Sequence, residues 1–119
     1  MIGQRKTSGK GSARVMYNKF NANMDSRRRS QKERKRAWEL KMLERAGKIS
    51  LLEEQVKYEL VPKQPGERAA YYIADFRYWE NGHMVVEDVK GYRKGTAYEL
   101  FVIKRKLMLY RYGIHIRET

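Results

Sequence analysis

YYIADFRYWENGHMVVEDVKG, residues 71–91, decides how the rest of the chain is read. Two runs rich in Val, Ile, Tyr, Phe and Trp flank Asn81-Gly82, a pair suited to closing a two-residue hairpin because both central positions of the favoured turn need positive φ. The stretch therefore predicts two antiparallel strands. Asp75 falls in the first, and Glu87, Asp88 and Lys90 fall in the second. Asp is a poor strand former, and its flanks here, YYIA and FRYW, belong to a buried strand. An unpaired carboxylate at such a place costs several kcal/mol. These acids are expected to face inwards together.

Strand alternation sharpens the point. Val86, Asp88 and Lys90 should share one face, and Val85, Glu87 and Val89 the other, while Ile73, Asp75 and Arg77 share a face of the preceding strand. A turn at Asn81-Gly82 sets Asp75 and Asp88 on neighbouring strands, within reach of one ion. Two carboxylates that close repel, and their pKa values rise unless a cation intervenes. Mg²⁺, with Mn²⁺ as a substitute, accepts a few carboxylates together with waters and a phosphate oxygen. Lys90 would hold its ammonium beside that ion, to orient a water or steady charge developing on a phosphate.

Outward from the hairpin, charge points to the partner. Lys and Arg total 27 against 14 acids, a net +13. Residues 1–48 hold 15 basic and four acidic side chains, and residues 49–119 hold 12 and 10. Such polarity suits a polyanion, most simply nucleic acid or an anionic membrane surface. The chain has no cysteine, which excludes disulfides, zinc-thiolate sites and thiol catalysis and agrees with an intracellular setting. It has no apolar run of a membrane-spanning length and no secretory h-region.

The remaining elements follow from pattern. Residues 1–29 read as a basic, partly flexible arm, and residues 30–119 as one α/β domain. From Ser30 to Ala46 a helix is expected, with Ser30 and Glu33 as a capping box, a stripe of Trp38, Met42 and Arg45 with Leu43 and Ala46 beside them, and Gly47 as terminator. EEQVKYELVP alternates as a strand. AYELFVIKRKLMLYRYG places Leu100, Phe101, Ile103, Leu107, Met108 and Tyr110 at helical spacing before Gly113, and IHIRE makes a last short strand. The order α-β-β-β-α-β, with a helix between the third and fourth strands, implies a parallel crossover and a mixed sheet flanked by helices.

The arrangement Asp…Asp-x-Lys across a hairpin resembles the PD-(D/E)XK nuclease superfamily. YYIADF followed by VVEDVKG is similar to the corresponding segment of phage junction-resolving endonucleases, of transposon-end nucleases, and of an uncharacterised family of small phage proteins. SQKE, residues 30–33, resembles the Ser-x-x-Glu at which those enzymes supply a further acid. The similarity runs over residues 30–117. It implies a restriction-endonuclease-like core and a Mg²⁺-dependent endonuclease acting on DNA, with branched or junction DNA as substrate in phage recombination, replication or packaging. It carries over Glu33, Asp75, Asp88 and Lys90 as catalytic residues, and Asp75, Asp88, the carbonyl of Val89 and Glu33 as metal ligands. Ala74 stands where the family has proline, Glu87 and Asp88 are adjacent acids, and the link after the first helix is long, which leaves Glu39 as a substitute for Glu33. Arg34, Lys35, Arg36, Arg93, Lys94 and Lys104 are the candidate phosphate contacts, with Tyr92 and Tyr98 beside them. Two cuts at a junction would need two sites, hence a homodimer.

Other classes compete. A non-catalytic nucleic-acid-binding module would keep the charge but make the acids structural. A degenerate nuclease scaffold has all four candidate residues intact against it. A membrane-surface protein would need the apolar stripe that the first helix requires for the core. His83 and His115 are isolated and read as ordinary strand residues, and most aromatics, Trp38 and Trp79 among them, read as core.

Overall fold

A computed structural model describes residues 30–91 and 93–119. The arm expected over residues 1–29 lies outside them. The elements run α1 (residues 30–45), β1 (Ser50–Val61), β2 (Ala70–Glu80), β3 (His83–Asp88), α2 (Gly95–Tyr112) and β4 (Ile116–Glu118). One four-stranded sheet has the order β1-β2-β3-β4, antiparallel from β1 to β3 and parallel between β3 and β4. This is the expected α-β-β-β-α-β order and mixed sheet of a restriction-endonuclease-like core.

The hairpin closes as its sequence predicts. Asn81 (φ 52°) and Gly82 (φ 79°) both take positive φ, and Glu80 pairs with His83. Side-chain crowding makes that conformation costly for most residues, which is why Asn-Gly occupies it. The second strand of the hairpin is shorter than expected, ending at Asp88 rather than Gly91. Beyond it the Val89 amide leaves the ladder for the Asp75 carboxylate, and the Lys90 amide donates to the Thr119 carbonyl at 2.8 Å.

The helices pack on opposite faces. Phe101 and Met108 of α2 are buried with Leu60, Tyr72, Ala74 and Val86, whereas Leu40 of α1 is buried with Ile49, Phe76, Tyr78 and Val89. Adjacent Val86 and Glu87 look to the two sides, as alternation requires: Val86 joins the α2 cluster and Glu87 bonds Arg36 of α1.

Simple alternation fails at one point. Tyr72 and Ala74 belong to the α2 cluster but Phe76 and Tyr78, of the same parity, belong to the α1 cluster. Strands β1 and β2 change face together between the pairs Val56↔Ala74 and Glu54↔Phe76. The two residues inside that step are Asp75 and Gln55, and Gln55 holds φ 55° in mid-strand. Ile73 and Arg77 therefore do not share a face: Ile73 is half exposed, while Arg77 reaches the Tyr58 hydroxyl on the α2 side.

The apolar stripes of both helices also differ from the expected ones. Leu40 is fully buried, Ala37 and Leu43 are partly so, and Trp38 is 63% exposed. The cause is Arg36, whose guanidinium is anchored on Glu87 and so fixes the rotation of α1 with Trp38 turned away. In α2, Phe101 and Met108 face the sheet, but Leu100, Ile103 and Tyr110 face outwards. Gly113, at φ 68°, ends α2 with its amide on the Leu109 carbonyl.

Candidate active site

The hairpin register would set Asp75 opposite Asp88, but the ladder stops one pair earlier, at Phe76↔Glu87. The face change at Asp75 and the exit of Val89 open the strands there, and both carboxylates fill the gap. Asp75 is 3% and Asp88 2% exposed. Asp75 Oδ2 accepts a hydrogen bond from the Val89 amide at 2.8 Å. Burial is the main cause that pushes the Asp75 carboxyl up to about 7, and the adjacent Asp88 and the charge of Glu33 push the same way, against the Val89 amide.

Lys90 is held from every side. Its Nζ lies 2.5 Å from Asp88 Oδ2 and 3.5 Å from the centre of the Phe101 ring, and its carbonyl accepts from Lys32 Nζ of α1 at 2.5 Å. An ammonium on an aromatic face and a buried carboxylate is well fixed.

Tyr72 completes the floor. Its hydroxyl is buried beside Asp88 and makes no well-formed hydrogen bond among the described residues. Burial raises its pKa, and Asp88 and Asp75 raise it further, so the phenol stays protonated and offers a donor beside the two acids. Sequence reasoning counted Tyr72 among core aromatics. The missed signal was its position, three residues before Asp75 on a strand that changes face.

Of the two helix acids, Glu33 is the one near the pair. Its Oε2 accepts from Gln55 Nε2 at 3.3 Å, and Gln55 sits in the same sheet step as Asp75. Glu39 instead meets Arg36 at 3.2 Å. Among the described residues no three His, Cys, Asp or Glu side chains gather into a cation cage, so Glu33 does not close onto Asp75 and Asp88. The donor set nonetheless suits Mg²⁺, which takes one or two carboxylates and keeps several waters. Asp75 and Asp88 are the two carboxylates that would supply those ligands.

Glu87 has a different task. Fully buried on the α1 side, it accepts from Arg36 at 2.6 and 3.0 Å, from the Tyr78 hydroxyl at 2.6 Å and from Thr119 at 3.1 Å. Burial alone would raise its pKa, but these bonds, that of Arg36 first, hold it below the ordinary glutamate value.

The expected phosphate contacts divide. Arg34, Lys35 and Lys94 are exposed and Lys104 is half-buried. Arg36 is turned inward onto Glu87 and Glu39, a correction to its expected place among them. Arg93 lies 3.4 Å from Glu118, which also receives the Tyr98 hydroxyl and Arg105, each at 2.9 Å. Tyr92 lies outside the described residues.

The fold and the buried acid pair thus define an α/β protein with a restriction-endonuclease-like core. The chain belongs to the family described as "Protein of unknown function (DUF1064)", whose model matches residues 13–118. No curated protein and no solved structure matches it.

Proposed function

We propose that the protein is a Mg²⁺-dependent DNA endonuclease that hydrolyses phosphodiester bonds, selective for branched or junction DNA in phage recombination, replication or packaging. The observation that carries this reading is the buried Asp75–Asp88 pair with Lys90 on Asp88, placed where a basic chain opens its sheet. Bound Mg²⁺ would neutralise the carboxylate pair and polarise the scissile phosphate.

The residues then take distinct roles. Asp75, oriented by the Val89 amide, and Asp88 would hold the cation, with the Val89 carbonyl and Glu33 extending the site. Lys90, fixed beside Asp88, would set its ammonium against the negative charge growing on the phosphate. Gln55 keeps Glu33 beside the pair. Arg34, Lys35, Arg93, Lys94 and Lys104 bind the DNA backbone, a contact that weakens steeply with salt.

The close Lys90–Asp88 pair also favours a second reading, a non-catalytic nucleic-acid-binding module in which that pair is structural. A cleavage assay decides between them. Duplex, single-stranded, flap and four-way-junction DNA are each incubated with wild type and Mg²⁺ or EDTA. Cutting with Mg²⁺ alone supports the nuclease, and the best substrate names its job. Binding to DNA without cutting supports the module. Junction resolution further requires a dimer, and sedimentation showing only monomer with and without junction DNA counts against it.

A further inference from the structure

The exposed face of α1 carries a tryptophan among cations. On a helix of 3.6 residues per turn, Arg34, Lys35, Lys41 and Arg45 all project within about 60° of Trp38. Gln31 and Met42 share that sector, and no acid does. The helix acids Glu33, Glu39 and Glu44 lie outside it, where they bond Gln55, Arg36 and the Leu52 amide. All four cations are exposed, and Trp38 is 63% exposed. Among the described residues, only Lys41 of the four has a carboxylate near, exposed Glu54 at 3.5 Å, a surface pair of small worth.

An indole left in water is an unspent hydrophobic surface, and this one is not left over from a failed core. Arg36 on buried Glu87 holds the helix in a rotation that buries Leu40 and presents Trp38. The partner must therefore satisfy both a flat aromatic face and a ring of positive charge. An unpaired nucleotide does so: its base stacks on the indole while its neighbouring phosphates meet the arginines and lysines. A paired duplex satisfies only the charges, since its bases are stacked inside. A membrane surface would need a broad apolar stripe, and here Ala37, Leu40 and Leu43 are turned to the sheet.

We propose that the Trp38 face of α1 is a binding site for unpaired nucleotides, with Trp38 as the stacking platform and Arg34, Lys35, Lys41 and Arg45 as phosphate contacts. It rests on the nucleic-acid part of the proposed function but not on hydrolysis. It also supplies a physical reason for preferring branched DNA, because branch points and flaps expose unstacked bases.

The test uses the full chain in EDTA, so that binding is read without cutting. A Trp79→Phe background leaves Trp38 as the sole indole. The probes are a short oligothymidylate, a blunt hairpin duplex, and vesicles of phosphatidylserine. The site predicts that oligothymidylate quenches Trp38 fluorescence, and that Trp38→Ala weakens oligothymidylate binding by about tenfold while changing duplex binding little. Arg34→Gln with Arg45→Gln should weaken both and flatten the salt dependence. Thermal melts confirm that each variant is folded. The proposal is overturned if oligothymidylate binds without quenching and Trp38→Ala binds it as well as wild type, or if vesicles alone perturb Trp38. Failure of all forms to bind either nucleic acid would instead remove the nucleic-acid reading itself.

Discussion

The backbone amide of Val89 donates to Asp75 Oδ2 at 2.8 Å, across the point where β2 and β3 cease to pair. That bond ends the hairpin ladder and fixes one of two buried acids beside the other. The face change, the shortened β3 and the approach of Asp88 all meet at it.

Asp75 makes folding stability depend on pH. Its pKa is raised from 3.8 to about 7, so the native state binds a proton more tightly than the unfolded chain does. The resulting stabilisation is complete below about pH 4 and is lost as pH rises through 7. Melts in EDTA across that window should show this component falling with pH, and Asp75→Asn should abolish it. Added Mg²⁺ should recover stability towards the upper end.

Glu87 acts with the opposite sign. Its lowered pKa gives stability that is present above the ordinary glutamate value and is lost as pH falls below it. Glu87→Ala removes the buried acceptor of Arg36 and of the Tyr78 hydroxyl and should cost about 3 kcal/mol, measured by urea unfolding. An unchanged midpoint would remove Glu87 as the anchor of α1.

Tyr72 should separate stability from activity. Its hydroxyl is buried beside Asp88 with no well-formed hydrogen bond among the described residues, so Tyr72→Phe should leave the melting temperature in EDTA nearly unchanged. If the phenol serves a hydrated cation, the same variant should lose Mg²⁺-induced stabilisation and cut more slowly. A variant identical to wild type in both respects would make Tyr72 a core residue only.

Gln55 tests the strained step in β1. Positive φ costs a residue with a side chain about 1 kcal/mol or more, so Gln55→Gly should not destabilise by more than that amount in urea unfolding. Gln55→Val, branched at Cβ, should be clearly worse. Both remove the amide that holds Glu33, so both should reduce cutting.

The hairpin was legible because its signals are local. Asn81-Gly82 fixes the turn, the turn fixes the register, and that register, which ends at Phe76↔Glu87, brings the next residues Asp75 and Asp88 towards one another. The parallel β3–β4 pairing followed from the helix between those strands. What escaped was set by distant partners. The rotation of α1 depends on Arg36 meeting Glu87, 51 residues away, so Trp38 read as core and Leu40 was passed over. The face change needs both β1 and β2, and Gln55 carries no local sign of positive φ. On α2, helical period marked six apolar residues alike, although the thin sheet could bury only the side carrying Phe101 and Met108.

The most direct test of the acid pair is Asp88→Asn, examined for fold, DNA binding and cutting in one preparation. The account predicts a folded protein that binds junction DNA as wild type does, fails to cut it in Mg²⁺, and loses Mg²⁺-induced stabilisation. A folded Asp88→Asn protein that binds normally and still cuts with Mg²⁺ would contradict the assignment of the site.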